Sequence, residues 1–200
     1  PGLSKGEGTA WSRRSPANTL SVSAGRRLYV LGNIDGGFRP LTNPYDLHNN
    51  GGQPFSNDPL ANKLQGVWAQ PVKALNGFVF ELDVDGRPWT LNAARTFTQS
   101  IVETRYDYWR DDLTATRTDF VPLDQALLLT SLSVTNTGDR PLSLTIRFTA
   151  YFDLEDAWFT TLATTRNQGE KVFQSGERVV ALAHSDPAAW AVAVGGEAGG

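Results

Sequence analysis

The sequence predicts an all-β fold: a large antiparallel two-layer sandwich with few or no helices. Three observations carry this expectation. Apolar residues recur at every second position in stretch after stretch, the signature of strands with one buried and one solvated face. Turn-forming residues such as Asp85-Gly86 separate those stretches. Finally, almost nowhere does the 3.6-residue period of an amphipathic helix emerge; Leu154–Ala163 is the one candidate, and its threonines favour loop or strand.

In chain order, residues 1–18 are rich in Gly, Ser and Arg without periodicity and read as an irregular lead-in to a single sandwich domain over 19–200. Short strands are expected near Thr19–Val22 and Arg27–Leu31. Gly32–Leu64 then loses all pattern and fills with Asn, Asp, Gly and Pro; loops this long are uncommon and tend to be functional. Strand pattern returns at Gly66–Leu75 and Gly77–Val84, and the Asp85-Gly86 pair turns the chain into Arg87–Asn92. Gln99–Trp109 and Leu113–Pro122 form the next expected pair, joined through Arg110-Asp111-Asp112. Gln125–Phe152 reads as the central element, a long hairpin. Leu128, Leu132 and Val134 share one face of its first arm, and Leu144, Ile146, Phe148, Ala150 and Phe152 share one face of its second. Asn136 and Gly138 are expected to supply positive φ in its turn. Glu177–His184 and Ala188–Val194 close the chain. About ten strands with hairpin turns make a two-layer sandwich.

Composition limits the function. Of 200 residues 40% are hydrophobic and 20% charged, enough for a core. A net charge of −3 without a basic run argues against nucleic acid and against an anionic membrane as partner. With no cysteine the chain has neither disulfides nor thiolate metal sites, which leaves the compartment open, exported or cytoplasmic. The absence of methionine and the Gly-rich final residues suggest a piece of a longer protein.

Candidate chemistry is sparse. His48 and His184 are the only histidines, too few for a multi-His metal site, and no metal or cofactor is expected. Carboxylate pairs are the other route, since glycosidases need two across a sugar. Asp83/Asp85 and Asp111/Asp112 sit at expected turns, where Asp is favoured for backbone bonding. The others are Asp35 with Asp46, and Glu155/Asp156 beside Trp158. None is assigned a catalytic role. Among the six tryptophans, Trp68, Trp89 and Trp190 fall in core rhythm, whereas Trp109, beside a turn, and Trp158, after an acidic pair, are candidates for a ligand-facing or interface role.

A family resemblance gathers these pieces. The segments Gly66-Val67-Trp68, Asp83 to Trp89, Glu103-Thr104-Arg105-Tyr106, Leu113 to Pro122 and Leu132 to Pro141 follow one another in a recognisable order. Within them Asp119-Phe120-Val121-Pro122 precedes Leu132-Ser133-Val134-Thr135-Asn136-Thr137-Gly138-Asp139-Arg140-Pro141. Over roughly Thr19 to Phe152 this resembles the N-terminal β-supersandwich of six-hairpin glycosidases and phosphorylases of the bacterial glucoamylase type. The resemblance implies a non-catalytic domain packed on a C-terminal (α/α)6 catalytic barrel of the same chain. By the same resemblance both catalytic carboxylates would lie in that barrel, and the parent would be an inverting hydrolase of α-glucosides. It also implies that a loop within Asn33–Phe55 reaches the carbohydrate. The candidate substrate contacts are Asp35, His48 and Asn49 in that loop, together with Trp109 and Trp158. A stand-alone carbohydrate-binding module and a purely structural assembly domain are the competing expectations. Part of the face meeting a neighbour is expected at Tyr106, Tyr108 and Trp109.

Overall fold

The computed structural model describes residues 9–12, 20–38, 65–70, 72–155, 170–183 and 190–197. Among these there is no helix, and the strands form three antiparallel sheets. The strands are β1 (Thr9–Ser12), β2 (Leu20–Ala24), β3 (Tyr29–Asn33), β4 (Gly66–Ala69), β5 (Val72–Val84), β6 (Arg87–Thr90) and β7 (Thr96–Gln99). They continue with β8 (Glu103–Arg110), β9 (Leu113–Phe120), β10 (Leu129–Asn136), β11 (Leu144–Glu155), β12 (Glu170–Ser175), β13 (Arg178–Ala183) and β14 (Ala191–Gly195). The first sheet runs β1-β7-β8-β9-β10 and the second β11-β5-β4-β3-β2, with β6 also on β5; β12-β13-β14 form a small third sheet. The all-β sandwich expected from the sequence is the fold observed.

The first two sheets face each other. Ser21 and Ser23 of β2 reach the Tyr106 and Thr104 hydroxyls of β8 at 2.9 and 3.1 Å, and Arg117 of β9 lies over the Phe78 ring of β5 at 5.1 Å. Phe78, Phe80, Leu82 and Val84 project from β5 into this space, and Leu113, Ala115 and Val121 enter it from β9 and the residues that follow. Trp68 is buried, as its rhythm foretold; Trp89 is half-buried against the same core. A satellite cluster of Val72, Leu154 and Ala181 joins the third sheet to the base of β5 and β11.

Short-range hairpins form where the turn chemistry asked for them. Val84 pairs with Arg87, and the intervening Asp85 and Gly86 take φ of 50° and 77°, as a tight two-residue turn needs. Asp83 Oδ1 accepts the Gly86 N–H at 2.7 Å, so this carboxylate serves the turn. Arg110 pairs with Leu113 around Asp111, again at positive φ.

The long-range pairing of the central element differs from expectation. β10 and β11 do not pair with each other: β10 pairs with β9 from Leu129↔Phe120 to Asn136↔Leu113, and β11 pairs with β5 from Leu144↔Val84 onward. Residues 136–143 are an arch from one sheet to the other. Neither Asn136 nor Gly138 takes positive φ there. Instead the Asn136 side chain accepts Gly138 N–H and donates to Arg140 O, while Thr137 bonds to Asp112 O and Arg140 reaches Asp85 Oδ2 at 2.7 Å. The arch is thus held to the tips of the β5–β6 and β8–β9 hairpins, each closer to it in space than in sequence.

Smaller differences concern where strands begin and end. Gly66–Leu75 is two strands broken near Gln70, and Gln99–Trp109 is β8 preceded by a separate β7. Strands β1 and β12 arise where no strand was expected, β1 within the lead-in.

Candidate functional site

Building outward from the sites named above, Asp35 lies on the turn that leaves β3. The Asn33 N–H donates to Gly37 O, Gly36 N–H to Asn33 O, and Gly37 N–H to Asp35 Oδ1, each at 2.9 Å; Ala94 N–H reaches Asp35 O at 2.8 Å. The half-buried Asp35 carboxylate therefore shapes the turn. Gln65, where the described chain resumes before β4, donates to Asn33 Oδ1 at 3.1 Å, and Phe38 is buried against Phe78 at a ring separation of 4.9 Å. Asp46, His48 and Asn49 lie within 39–64, and Trp158, His184 and Asp156 elsewhere, all outside the described residues.

Beneath this turn is a charged centre that reading the sequence did not single out as a site. Arg117 and Asp119 project from β9 into the sandwich with side chains 1% exposed, paired at 3.0 Å. The guanidinium also donates to Gly36 O at 2.7 Å and lies over the Tyr106 ring at 4.3 Å; Thr130 donates to Asp119 Oδ1 at 2.6 Å. Burial alone would depress the Arg117 guanidinium, but the Asp119 carboxylate beside it holds it above its ordinary value, so it stays charged. Burial pushes the Tyr106 and Tyr108 phenols up, so both are neutral. Gly36 sits at φ 84° with the Tyr108 hydroxyl so close that a Cβ there would fall 1.9 Å from it. Among the described residues Tyr108 Oη, Arg117 Nε and Asn33 Nδ2 have no hydrogen-bond partner. Of the contacts made here, the Arg117 bond to Gly36 O ties the charged centre to the turn after β3. The local signal that could have revealed this centre is Leu113, Ala115, Arg117, Asp119 and Val121 at alternate positions, two charges inside an apolar run.

Tyr106 and Tyr108 were expected on an outward face with Trp109; both are buried in the core instead. Their register explains why: Tyr106 stands opposite Arg117 and Tyr108 opposite Ala115, on the side facing the second sheet. Trp109, one residue on, points the other way and is 40% exposed. It stands beside Thr114, and Thr114 beside Thr135, on an outer face that carries Thr116, Thr118, Ser131 and Ser133 in successive rows. On the same face Asp107 accepts from Arg105, Thr116 and Thr96 at 3.0, 2.7 and 2.9 Å. Partial burial opposes its ionisation, yet these three donors together hold its carboxyl below the usual value.

The most unusual surface lies elsewhere. β10 and β11 are the last strands of their sheets on the same side of the sandwich, because β2 lies across from β8 and β5 across from β9. Leu144, Ile146 and Phe148 stand opposite Val84, Leu82 and Phe80 and so project from the core-facing side of β11. They are nonetheless 39%, 49% and 38% exposed. Phe148 rests on the Phe80 and Phe78 rings at 4.9 and 5.6 Å, and Leu132 and Val134 of β10 are half-buried. Among the described residues nothing pairs with the outer edge of β11, and the sandwich is open along this side.

Among the described residues no group of three or more His, Asp and Glu is arranged to hold a metal. Fold and surfaces define an all-β sandwich with one open apolar side and one hydroxyl-rich face. No protein-family model matches the chain, and no curated protein matches it in sequence.

Proposed function

We infer that this chain is the non-catalytic sandwich domain of a larger carbohydrate-active enzyme, a glycoside hydrolase acting on α-glucosides, and that it braces a catalytic (α/α)6 domain of the same polypeptide. The observation that supports this reading is the open side, where Leu144, Ile146 and Phe148 face inward yet remain exposed. Contiguous apolar surface of this kind marks a contact with another folded unit. The sequence resemblance supplies the identity of that unit and of its substrate class. The test is glucose release from α-linked glucosides by the intact polypeptide and by its Ile146→Lys variant. The expected result is activity in the first and a marked loss in the second, since a buried ammonium has no partner there. An inactive intact enzyme overturns the substrate assignment; activity indifferent to Ile146→Lys overturns the bracing role.

The exposed Trp109 indole among threonine and serine hydroxyls favours a second reading, glycan binding on the outer face of the first sheet. A ring face for stacking and flanking hydroxyls for hydrogen bonds are what a sugar surface requires. Tryptophan fluorescence titration with soluble α-glucans tests it, the binding being lost in Trp109→Ala.

A further inference from the structure

We propose that the outer face of the first sheet holds one linear, uncharged glycan chain laid along β8 and β9, with Trp109 stacked on it at one end and Phe120 at the other. This rests on the second reading above, that glycan binds to this face, and adds the direction of the chain, its length and its far contact. Trp109 and Phe120 are 40% and 36% exposed and point to the same side of neighbouring strands. Phe120 stands between Glu103 of β8 and Leu129 of β10. From Trp109 to Glu103 is six residues along β8, a run of about 20 Å for an extended strand. The two rings therefore mark the ends of a line along the strands.

What lies between the rings selects the ligand. The two intervening rows, Asp107-Thr116-Ser133 and Arg105-Thr118-Ser131, carry no apolar side chain. A folded partner, a second copy of this chain included, would strip water from these hydroxyls and charges without burying apolar surface there. Charge refuses nucleic acid and acidic glycans: on β8–β10 this face sets one cation, Arg105, against two carboxylates, Asp107 and Glu103. The hydroxyls then decide what kind of neutral ligand fits. Each has a single proton to give, and Thr96 and Thr116 give theirs to Asp107 at 2.9 and 2.7 Å, which leaves their lone pairs for a ligand. Arg105 is clamped to the same carboxylate at 3.0 Å, so side chains of three adjacent strands are ordered before anything binds. A ligand on this line must bring O–H donors in series together with apolar ring faces at both ends, and a neutral sugar chain does so.

The experiment is an NMR titration of the 200-residue chain, read at the Trp109 indole N–H and the Phe120 ring, with maltose, maltotriose, maltotetraose, maltohexaose and maltooctaose as probes. Maltose is expected to shift Trp109 alone, and affinity to rise along the series until the sugar reaches both residues and then level off. Phe120→Ala should weaken the longest probe about tenfold and leave maltose unchanged, whereas Trp109→Ala weakens both. Signals away from the face that stay in place show that each variant has folded. Equal affinity at every length, indifferent to Phe120→Ala, overturns the lengthwise chain while leaving glycan binding at Trp109 intact. Sugars that shift neither residue overturn both. Shifts at both residues on concentrating the protein without sugar assign the face to a second copy and likewise overturn both.

Discussion

The buried pair of Arg117 and Asp119 gives the sharpest test of how this sandwich is held together. Both side chains are 1% exposed, and each has further partners: Gly36 O and the Tyr106 ring for Arg117, the Thr130 hydroxyl for Asp119. Replacing Asp119 by Leu leaves a guanidinium in the core with no counter-charge, and removing one member of such a pair costs about 3–5 kcal/mol. At this chain length that lowers the melting temperature by roughly 6–20 °C. The double variant Arg117→Met/Asp119→Leu removes both charges together. It still strands the Gly36 carbonyl and the Thr130 hydroxyl, at about 1–3 kcal/mol each if neither finds water. Yet it is spared the uncompensated charge, so it is expected to be more stable than Asp119→Leu alone despite carrying one more substitution. Urea denaturation of the wild type, both single variants and the double variant closes the cycle. Two single-variant losses that simply add, with a coupling below about 0.5 kcal/mol, would refute the claim that the two charges are held for each other.

Three further outcomes follow from the same structure. Gly36→Ala meets both an unfavourable positive φ and the Tyr108 hydroxyl, so a loss of about 2–5 kcal/mol is expected in the denaturation midpoint. Leu82→Ala, at a position 0% exposed, should cost about 2–5 kcal/mol, whereas Ile146→Thr in the 1–200 chain should change stability by no more than about 1 kcal/mol; equal losses would contradict the open side. The folded-state values of Asp107 and Asp85 lie below the unfolded carboxylate value of 3.8. For Asp85 the Ser143 backbone N–H and the Arg140 side chain are the main causes. Their stabilisation is thus complete above 3.8 and is lost as pH falls through the lower folded values. Denaturation midpoints from about pH 6 to about pH 2.5 should fall less steeply in Asp107→Asn than in the wild type.

Reading the sequence reached as far as local physics reaches. A strand's two faces are written in alternate residues, so the apolar sides of 78–84, 132–134 and 144–148 were assigned correctly. A tight turn is chosen by the few residues that tolerate positive φ, so Asp85-Gly86 could be placed without knowing anything else. Pairing partners are another matter. The alternation in β10 and β11 is equally consistent with a hairpin and with an arch between sheets, because it states which side is apolar and not which neighbour shares the hydrogen bonds. Tertiary packing made that choice, tying Arg140 to Asp85 across 55 positions of sequence. The same holds for the candidate contacts. Asp35 looked available to a ligand because its carboxylate is polar and lies in a loop, but the Gly37 backbone N–H, two residues on, claims one of its oxygens. Tyr106 and Tyr108 looked outward-facing because hydroxyls suit water as well as a buried network. Arg117 and Asp119 were invisible as a core because a charge is read as solvated until its partner is known. Periodicity and turn chemistry depend on neighbours along the chain and can be read there; strand pairing, burial of charge and an uncovered edge depend on neighbours across it, and only the folded structure supplies those.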